Sequence, residues 1–182
     1  MKIIGIDPGS ERTGYGCIES AGSRHHLIAC GTLSAPARAP FPEKLKLIHA
    51  GLALLLERHR PECVAVENIF YARNVRSALR LGHARGVVLL AAAEAQIPVV
   101  EYTPAEIKRA VVGYGRAEKR QVQEMMKFLL GLEVVPSPHD VADALAIAVC
   151  HFHTSANAVS RIARGVSGVR PAAARSWRQY RP

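Results

Sequence analysis

Three short strand-like runs open the chain, and their order with the later segments limits the folds available to it. Residues 2–6 are apolar and rich in β-branched side chains, and the turn residues at 7–9 (DPG) end them. Residues 14–18 and 26–33 show the same strand-like pattern. The short turns between these runs favour an antiparallel meander.

Helical and strand-like segments alternate after the meander. Strands that are joined through a helix pair in parallel, so the later strands should extend the sheet in parallel. The order therefore predicts an α/β fold with a mixed five-stranded sheet, three strands antiparallel and the later ones parallel, and helices on both faces. The predicted elements are helices over residues 43–59, 77–95, 104–112, 118–130 and 139–153, and strands over 63–66 and 99–102.

The charge of the chain indicates a polyanionic partner. Among 182 residues there are 24 Lys and Arg against 15 Asp and Glu, which gives a formal net charge of +9. This length favours one compact domain, and 49% hydrophobic residues are enough for its core. A basic excess favours salt-sensitive binding to nucleic acid or to an anionic surface.

The C-terminal segment differs from the rest in composition. Six arginines occur after residue 158, interleaved with Gly, Ser, Ala and Pro, and no acidic residue follows Asp143. We predict a folded domain over residues 1–158 and a disordered Arg-rich tail over 159–182, which either attracts a polyanion or only adds solubility. The chain has no apolar stretch of membrane-spanning length, no signal peptide and no CxxC pair, which predicts a reduced, cytoplasmic protein without membrane contact.

All three aspartates of the chain stand where a strand ends or a helix begins. Asp7 ends the first strand, and Glu67 ends the fourth, which should be its neighbour in the sheet. Asp140 and Asp143 share one face in the first turn of the last helix, where a single acid often serves only as a cap. Converging carboxylates need a cation, and Mg²⁺ is typically held by carboxylates together with phosphate oxygens. The pattern is typical of metal-dependent phosphodiester cleavage by two ions.

Five motifs resemble the RuvC family of bacterial Holliday-junction resolvases. They are IGIDPG at residues 4–9 with TGYG at 13–16, VENIF at 66–70, SALRLGHARG at 77–86, VVGYGRAEK at 111–119 and DVADALA at 140–146. They follow the family's order from residue 1 to about residue 158. The resemblance implies an RNase H-like fold and a homodimeric crossover junction endodeoxyribonuclease, which nicks two opposing strands of a four-way DNA junction symmetrically during recombination and repair.

The resemblance also implies the site and its partners. The four acidic ligands of the family match Asp7, Glu67, Asp140 and Asp143, which would be catalytic and would hold Mg²⁺ or Mn²⁺, two ions per site. A two-fold dimer places two such sites on one face of the molecule, which suits the symmetry of the junction. The implied protein partner is the branch-migration complex of RuvA and RuvB. His139 is a second candidate ligand, although a place in the N-cap region explains it better.

Aromatic and basic residues follow Glu67 directly. The aromatic residues either stack on unpaired bases or pack against the next helix, and the resemblance favours stacking for Phe70. Three of the arginines recur at three- and four-residue steps and form one basic stripe. By resemblance, Lys108 and Lys119 match basic positions near the family's active site. The predicted DNA contacts are Phe70, Tyr71, Arg73, Asn74, Arg76, Arg80, Lys108, Arg116 and Lys119.

Two other functions fit parts of the sequence. The turn at residues 7–14 also resembles the first phosphate loop of actin and sugar-kinase ATPases, but those proteins need two full domains, for which this chain is too short. A non-catalytic nucleic-acid-binding module is the second alternative. It leaves the four acids unexplained, because converging carboxylates destabilise a fold that binds no metal.

Overall fold

The computed structural model describes residues 1–22, 24–68 and 74–163, with the backbone alone over 156–163. Its elements, in chain order, are β1 (Lys2–Asp7), β2 (Arg12–Ala21), β3 (Arg24–Ser34), α1 (Phe41–His59), β4 (Cys63–Glu67), α2 (Val75–Glu94), β5 (Val99–Tyr102), α3 (Pro104–Val112), α4 (Lys119–Leu129) and α5 (His139–Ala163). This is the predicted order of strands and helices. Over the residues described, no helix is long and apolar enough to cross a membrane.

The five strands form one mixed sheet in the order β3-β2-β1-β4-β5. The β1–β2 and β2–β3 pairs are antiparallel, whereas β4 lies parallel to β1 and β5 lies parallel to β4. The predicted sheet is therefore confirmed, and the first and fourth strands are neighbours. The hairpin strands β2 and β3 are longer than predicted, because their pairing continues through polar residues beyond the apolar runs.

Helices cover both faces of this sheet, as predicted. On one face α1 and α2 pack against Ile4 and Ile6 of β1. On the other face α5 packs against Ile3, and α3 and α4 pack against α5. Because side chains alternate along a strand, Asp7 lies on the same face as Ile3, beneath α5.

Three glycines let α5 lie directly against the centre of the sheet. A Cβ on Gly5 would stand 2.0 Å from the carbonyl oxygen of Ala144, and a Cβ on Gly14 would stand 2.1 Å from that of Asp140. A Cβ on Gly16 would stand 2.6 Å from Cδ2 of Leu145. Any side chain at these positions would push the helix away. The glycines therefore set the distance between the sheet and the first turns of α5.

The last helix is longer than the sequence predicted. The apolar period fades after residue 153, where the predicted helix ends, but α5 continues to Ala163. No Gly or Pro occurs between residue 153 and Gly165, so nothing in the sequence stops the helix earlier. The helix thus continues beyond residue 158, the predicted domain boundary. Residues 164–182 lie outside the described residues, and the disordered tail stays a prediction.

Candidate active site

The carboxylates of Asp7 and Glu67 leave the same end of the sheet. Asp7 is the last residue of β1, and Glu67 is the last residue of β4. The parallel register pairs Ile6 with Val66, so the two acids occupy equivalent positions on neighbouring strands. Alternation places both on the face that α5 covers. The structure therefore brings these two residues together as the sequence predicted.

The first turn of α5 lies over this end of the sheet. Asp140 lies in this turn and Asp143 lies three residues farther along the helix, and both are half-buried. The close approach at Gly14 fixes the backbone of Asp140 against β2. Acidic side chains are stabilised in a first helical turn, because the helix dipole is positive at that end.

Burial and neighbouring acids both act on Asp7. The pKa of Asp7 is raised from 3.8 to about 8, and burial is the largest cause. The negative charges of Asp143, Glu67 and Asp140 contribute in that order. Burial also raises the pKa of Glu67, with a contribution from Asp143. The four carboxylates thus share one electrostatic environment in which a full set of negative charges is unfavourable.

Basic side chains offset part of this charge. Lys119 Nζ donates a hydrogen bond to Asp143 Oδ2 at 3.3 Å, and Arg12 Nη1 stands 3.7 Å from Asp140 Oδ2. The charge of Asp143 raises the pKa of Lys119 and so keeps this lysine protonated. Lys119 and Lys108 oppose the rise in the pKa of Glu67.

A cleft of about 260 Å³ opens between α3, α4 and α5 beside these groups. Its lining combines two acids with two lysines on an apolar floor. The lining residues are Glu67, Pro104, Ile107, Lys108, Lys119, Val122, Asp143 and Ile147. A phosphate group that enters this cleft meets lysine donors and carboxylates at the same time.

The donor set fits a hard divalent cation. In the part of the chain that the structure describes, no group of three or more His, Cys, Asp or Glu side chains is placed to hold a metal ion. Lys119 and Arg12 engage the carboxylates of α5 instead. The four candidate donors are nevertheless all carboxylates, and the pKa of Asp7 reveals buried charge that these cations do not fully offset. Oxygen donors with excess negative charge are what Mg²⁺ and Mn²⁺ require.

His139 does not join this group. It is the first residue of α5, and it is exposed. Within the described ranges, its side chain makes no hydrogen bond or ion pair with another residue. The interpretation of His139 as part of the helix start agrees with this placement, and its role as a second-tier metal ligand stays a prediction.

The nine predicted DNA contacts fall into four groups. Phe70, Tyr71 and Arg73 lie outside the described residues. Arg76, Arg80 and Arg116 are exposed, as a DNA-contacting surface requires, and Arg80 lies over the ring of Phe41 with Cζ 5.6 Å from its centroid. Lys108 and Lys119 lie at the cleft. The ninth residue, Asn74, caps α2, because its Oδ1 accepts a hydrogen bond from the backbone N–H of Ser77 at 2.8 Å.

Two contributions to the site are not apparent from the acidic and basic patterns. Arg12, at the start of β2, forms an ion pair with Asp140 of α5. The glycines of β1 and β2 allow α5 to pack close to the sheet. Gly14 and Gly16 alternate along one strand and so share a face. That spacing is a usable signal, because glycine inside a strand often marks the close approach of another backbone.

Comparison with known proteins identifies the family. Residues 3–151 match the family model of RuvC, the crossover junction endodeoxyribonuclease. The chain belongs to the RuvC family. The crossover junction endodeoxyribonuclease RuvC of Pelotomaculum thermopropionicum is 52% identical over 153 residues, which cover 84% of this chain and 93% of that protein. The RuvC of Chloroflexus aggregans is 50% identical over 155 residues, which cover 85% of this chain and 94% of that protein.

Solved RuvC structures share the fold. Thermus thermophilus RuvC matches with a TM-score of 0.80 and 38% identity, over 87% of this chain and 97% of that one. The structure of T. thermophilus RuvC in complex with a Holliday junction substrate also matches with a TM-score of 0.80, at 36% identity, over 86% of this chain and 96% of that one. The RNase H-like fold implied by the RuvC motifs is therefore confirmed.

Proposed function

We propose that this protein resolves four-way DNA junctions by metal-dependent cleavage of two opposing strands during recombination and repair. The observation that carries the proposal is the group of four acids around Asp7, at the end of a sheet that RuvC proteins share. The basic surface of the chain supports a DNA substrate, since positive charge attracts the phosphate backbone. The ATPase alternative is wrong, because the RuvC family model matches residues 3–151, which include the turn that suggested it.

The four acids are the proposed metal-holding and catalytic residues. Asp7, Glu67, Asp140 and Asp143 would hold Mg²⁺ or Mn²⁺, two ions per site. When bound, these ions supply an activated water and stabilise the leaving oxygen. Asp7 provides buried negative charge at the centre of the group, where a cation relieves repulsion from the other acids.

Two lysines act on the phosphate in this proposal. Lys119 and Lys108 line the cleft beside Glu67 and Asp143. Their positive charges would contact the non-bridging oxygens of the scissile phosphate, where negative charge develops during cleavage. Lys119 also donates a hydrogen bond to the carboxylate of Asp143.

The helix α2 supplies a surface for the proposed homodimer. Val75 is 77% exposed, Leu79 is 59% exposed and Leu90 is 52% exposed, and all three lie on one stripe of the helix. Gly82 and Gly86 lie on the same stripe, and a Cβ added at either would meet no atom of the described residues within 4 Å. An exposed apolar stripe with two small residues allows a second helix to pack closely. Two-fold pairing there would present two active sites to one junction.

We also propose the DNA contacts, the protein partner and the cellular location. The exposed Arg76, Arg80 and Arg116 would contact the DNA backbone, and Phe70, Tyr71, Arg73 and Asn74 complete the proposed contact set. The RuvA and RuvB branch-migration complex is the proposed protein partner. The cytoplasm, where bacterial DNA lies, is the proposed site of action.

The test is a cleavage assay with labelled four-way junction and labelled duplex of the same sequence. Each substrate is incubated with the purified protein in Mg²⁺, in Mn²⁺ or in EDTA. We expect paired symmetric nicks in the junction alone, abolished by EDTA and by Asp143→Asn. The exposed acid Glu19 is a matched control, and Glu19→Gln should cleave like the wild type. Full cleavage by Asp143→Asn, or equal cleavage of duplex and junction, would contradict the proposal.

A further inference from the structure

Two histidine rings meet at the end of the molecule that is remote from the acids. His25 on β3 is 8% exposed, and His153 on the second half of α5 is half-buried. Their Nε2 atoms stand 3.2 Å apart. His153 lies ten residues beyond Asp143, so this pair is about 15 Å farther along the helix axis than the nearest acid. The pair is therefore separate from the proposed active site.

Each ring is held on its other side by a hydrogen-bond partner. His25 Nδ1 lies 2.6 Å from Ser20 Oγ, and His153 Nδ1 lies 3.0 Å from the carbonyl oxygen of Ala110. A carbonyl can only accept, so Nδ1 of His153 carries the proton and its Nε2 has a free lone pair. The hydroxyl of Ser20 can donate or accept, so either neutral form of His25 fits.

The two neutral forms of His25 allow the pair either to share a hydrogen bond or to bind a metal ion. With the proton on Nε2, His25 donates to Nε2 of His153 and the rings share one hydrogen bond. With the proton on Nδ1, His25 donates to Ser20, and both Nε2 atoms keep a lone pair that can bind one ion. In the second form both rings donate their outer N–H groups to oxygen atoms, which is how metal-bound histidines are oriented.

We propose that His25 and His153 form a two-histidine binding site for a divalent transition metal such as Zn²⁺, distinct from the carboxylate site. Two histidine nitrogens bound to a tetrahedral Zn²⁺ are about 3.3 Å apart, given Zn–N bonds of about 2.0–2.1 Å. The observed separation of 3.2 Å matches that spacing. The ion takes the place of the proton that the two rings otherwise share.

The surroundings of the pair favour a metal over a proton. Burial is the largest cause that lowers the pKa of His25, so the imidazole is neutral and its lone pair is available. A groove of about 420 Å³ reaches His153 from the surface, and ligands from solution would approach a bound ion from that side. Glu106 and Arg109 line the same groove with opposite charges.

The ligand type separates this site from the acidic one. Imidazole nitrogen suits Zn²⁺, Ni²⁺ and Cu²⁺, whereas Mg²⁺ prefers oxygen. A metal bound here would tie β3 to α5, and through Ala110 it would stiffen α3, which carries Lys108. The metal would therefore stabilise the fold by linking these elements. The proposal does not depend on the proposed nuclease function.

The experiment is a titration of the full chain with Zn²⁺, and with Co²⁺ as a spectroscopic probe, in buffer saturated with Mg²⁺ so that the carboxylates are occupied. We expect one equivalent of Zn²⁺ by calorimetry, the visible absorption of tetrahedral Co²⁺, and a rise in melting temperature of several degrees. His25→Asn and His153→Asn should each weaken binding at least tenfold. His26, the exposed neighbour of His25 on the opposite strand face, is the matched control, and His26→Asn should bind like the wild type.

The outcomes separate this site from the acids. Circular dichroism checks that both histidine variants fold, and each variant tests the proposal independently of the other. Binding retained in Asp7→Asn and lost in either folded histidine variant supports the proposal. Binding lost in Asp7→Asn and retained in both histidine variants places the metal at the carboxylates, and the proposal is then wrong. No uptake of Zn²⁺ by the wild-type chain would also overturn it.

Discussion

The start and the second half of α5 hold their polar side chains in opposite ways. Near the start, Asp140 and Asp143 join two acids of the sheet, and burial with like charge raises the pKa of Asp7 to about 8. In the second half, His153 is bonded to His25 and to a backbone carbonyl. The carboxylates repel one another, whereas the histidines have hydrogen-bond partners on both sides of their rings.

This difference separates a site that needs a partner from one that does not. Ionised carboxylates only repel one another, so the cluster either takes up a proton, as the raised pKa of Asp7 indicates, or binds a cation. Neutral imidazoles both donate and accept, so they can bond to each other without outside help. In our proposal the acidic end of α5 therefore needs a cation for function, whereas a metal at the two histidines would only add stability.

The largest expected effect comes from removing the central acid. Asp7→Asn should lower the rate of junction cleavage by about 10³-fold or more, because a proposed metal-holding carboxylate is lost. The same change should raise the melting temperature in EDTA by several degrees, because folding no longer has to bury a carboxyl among other acids. Cleavage assays and thermal melts of the same preparation measure both effects. Unchanged cleavage, or a lower melting temperature in EDTA, would contradict the account of the acidic end.

The second test displaces the first turn of α5. A Cβ at position 14 would stand 2.1 Å from the carbonyl oxygen of Asp140, so Gly14→Ala should cost about 3 kcal/mol of the free energy of unfolding. Glu19→Ala is the matched control, because Glu19 is an exposed residue of the same strand and its truncation clashes with no neighbour. Urea denaturation measures both. Equal stability of the two variants would show that α5 does not rest on Gly14.

A third test removes the lysine that engages the acidic end. Lys119→Met leaves Asp143 without its ion pair and should lower the cleavage rate by about 10²-fold, because a donor to the developing charge is lost. Lys127, in the last turn of the same helix, is the matched control, and Lys127→Met should cleave within a few-fold of the wild type. Single-turnover assays with saturating protein measure the cleavage step. Equal rates for the two variants would remove Lys119 from the site.

The smallest expected effect lies on α3, between the two ends. Thr103 and Glu106 form a capping box, whose hydrogen bonds lower the pKa of Glu106 below 4.5. A carboxyl whose pKa is lowered by folding stabilises the folded state at any pH above its pKa in the unfolded chain. That contribution is lost as the pH falls through its pKa in the folded chain. Thr103→Ala should therefore cost about 1 kcal/mol at neutral pH. Urea denaturation should show a smaller difference from the wild type below pH 4.5, and a difference independent of pH would contradict this role.

The sequence patterns predicted which helices and strands form better than they predicted the residues at which these elements end. The capping box at Thr103 and the glycine at position 113 mark α3 at both ends, and its predicted bounds are those observed. The end of α5 was not predictable from periodicity, because polar residues continue a helix as well as apolar ones do. The strand pairing was predictable because short turns and helical crossovers allow few topologies.

The sequence alone determined which residues could carry the chemistry and in what order they occur. It contains three aspartates, each at the end of a strand or in the first turn of a helix, and five RuvC motifs in register. Only the tertiary structure decided how close these groups come. The helix α5 lies close to the sheet because Gly5, Gly14 and Gly16 have no side chain. Its first two acids, Asp140 and Asp143, form ion pairs with Arg12 and Lys119 respectively. The same packing joined His25 to His153 from positions 128 residues apart, because non-local contacts depend on how surfaces fit rather than on any local pattern.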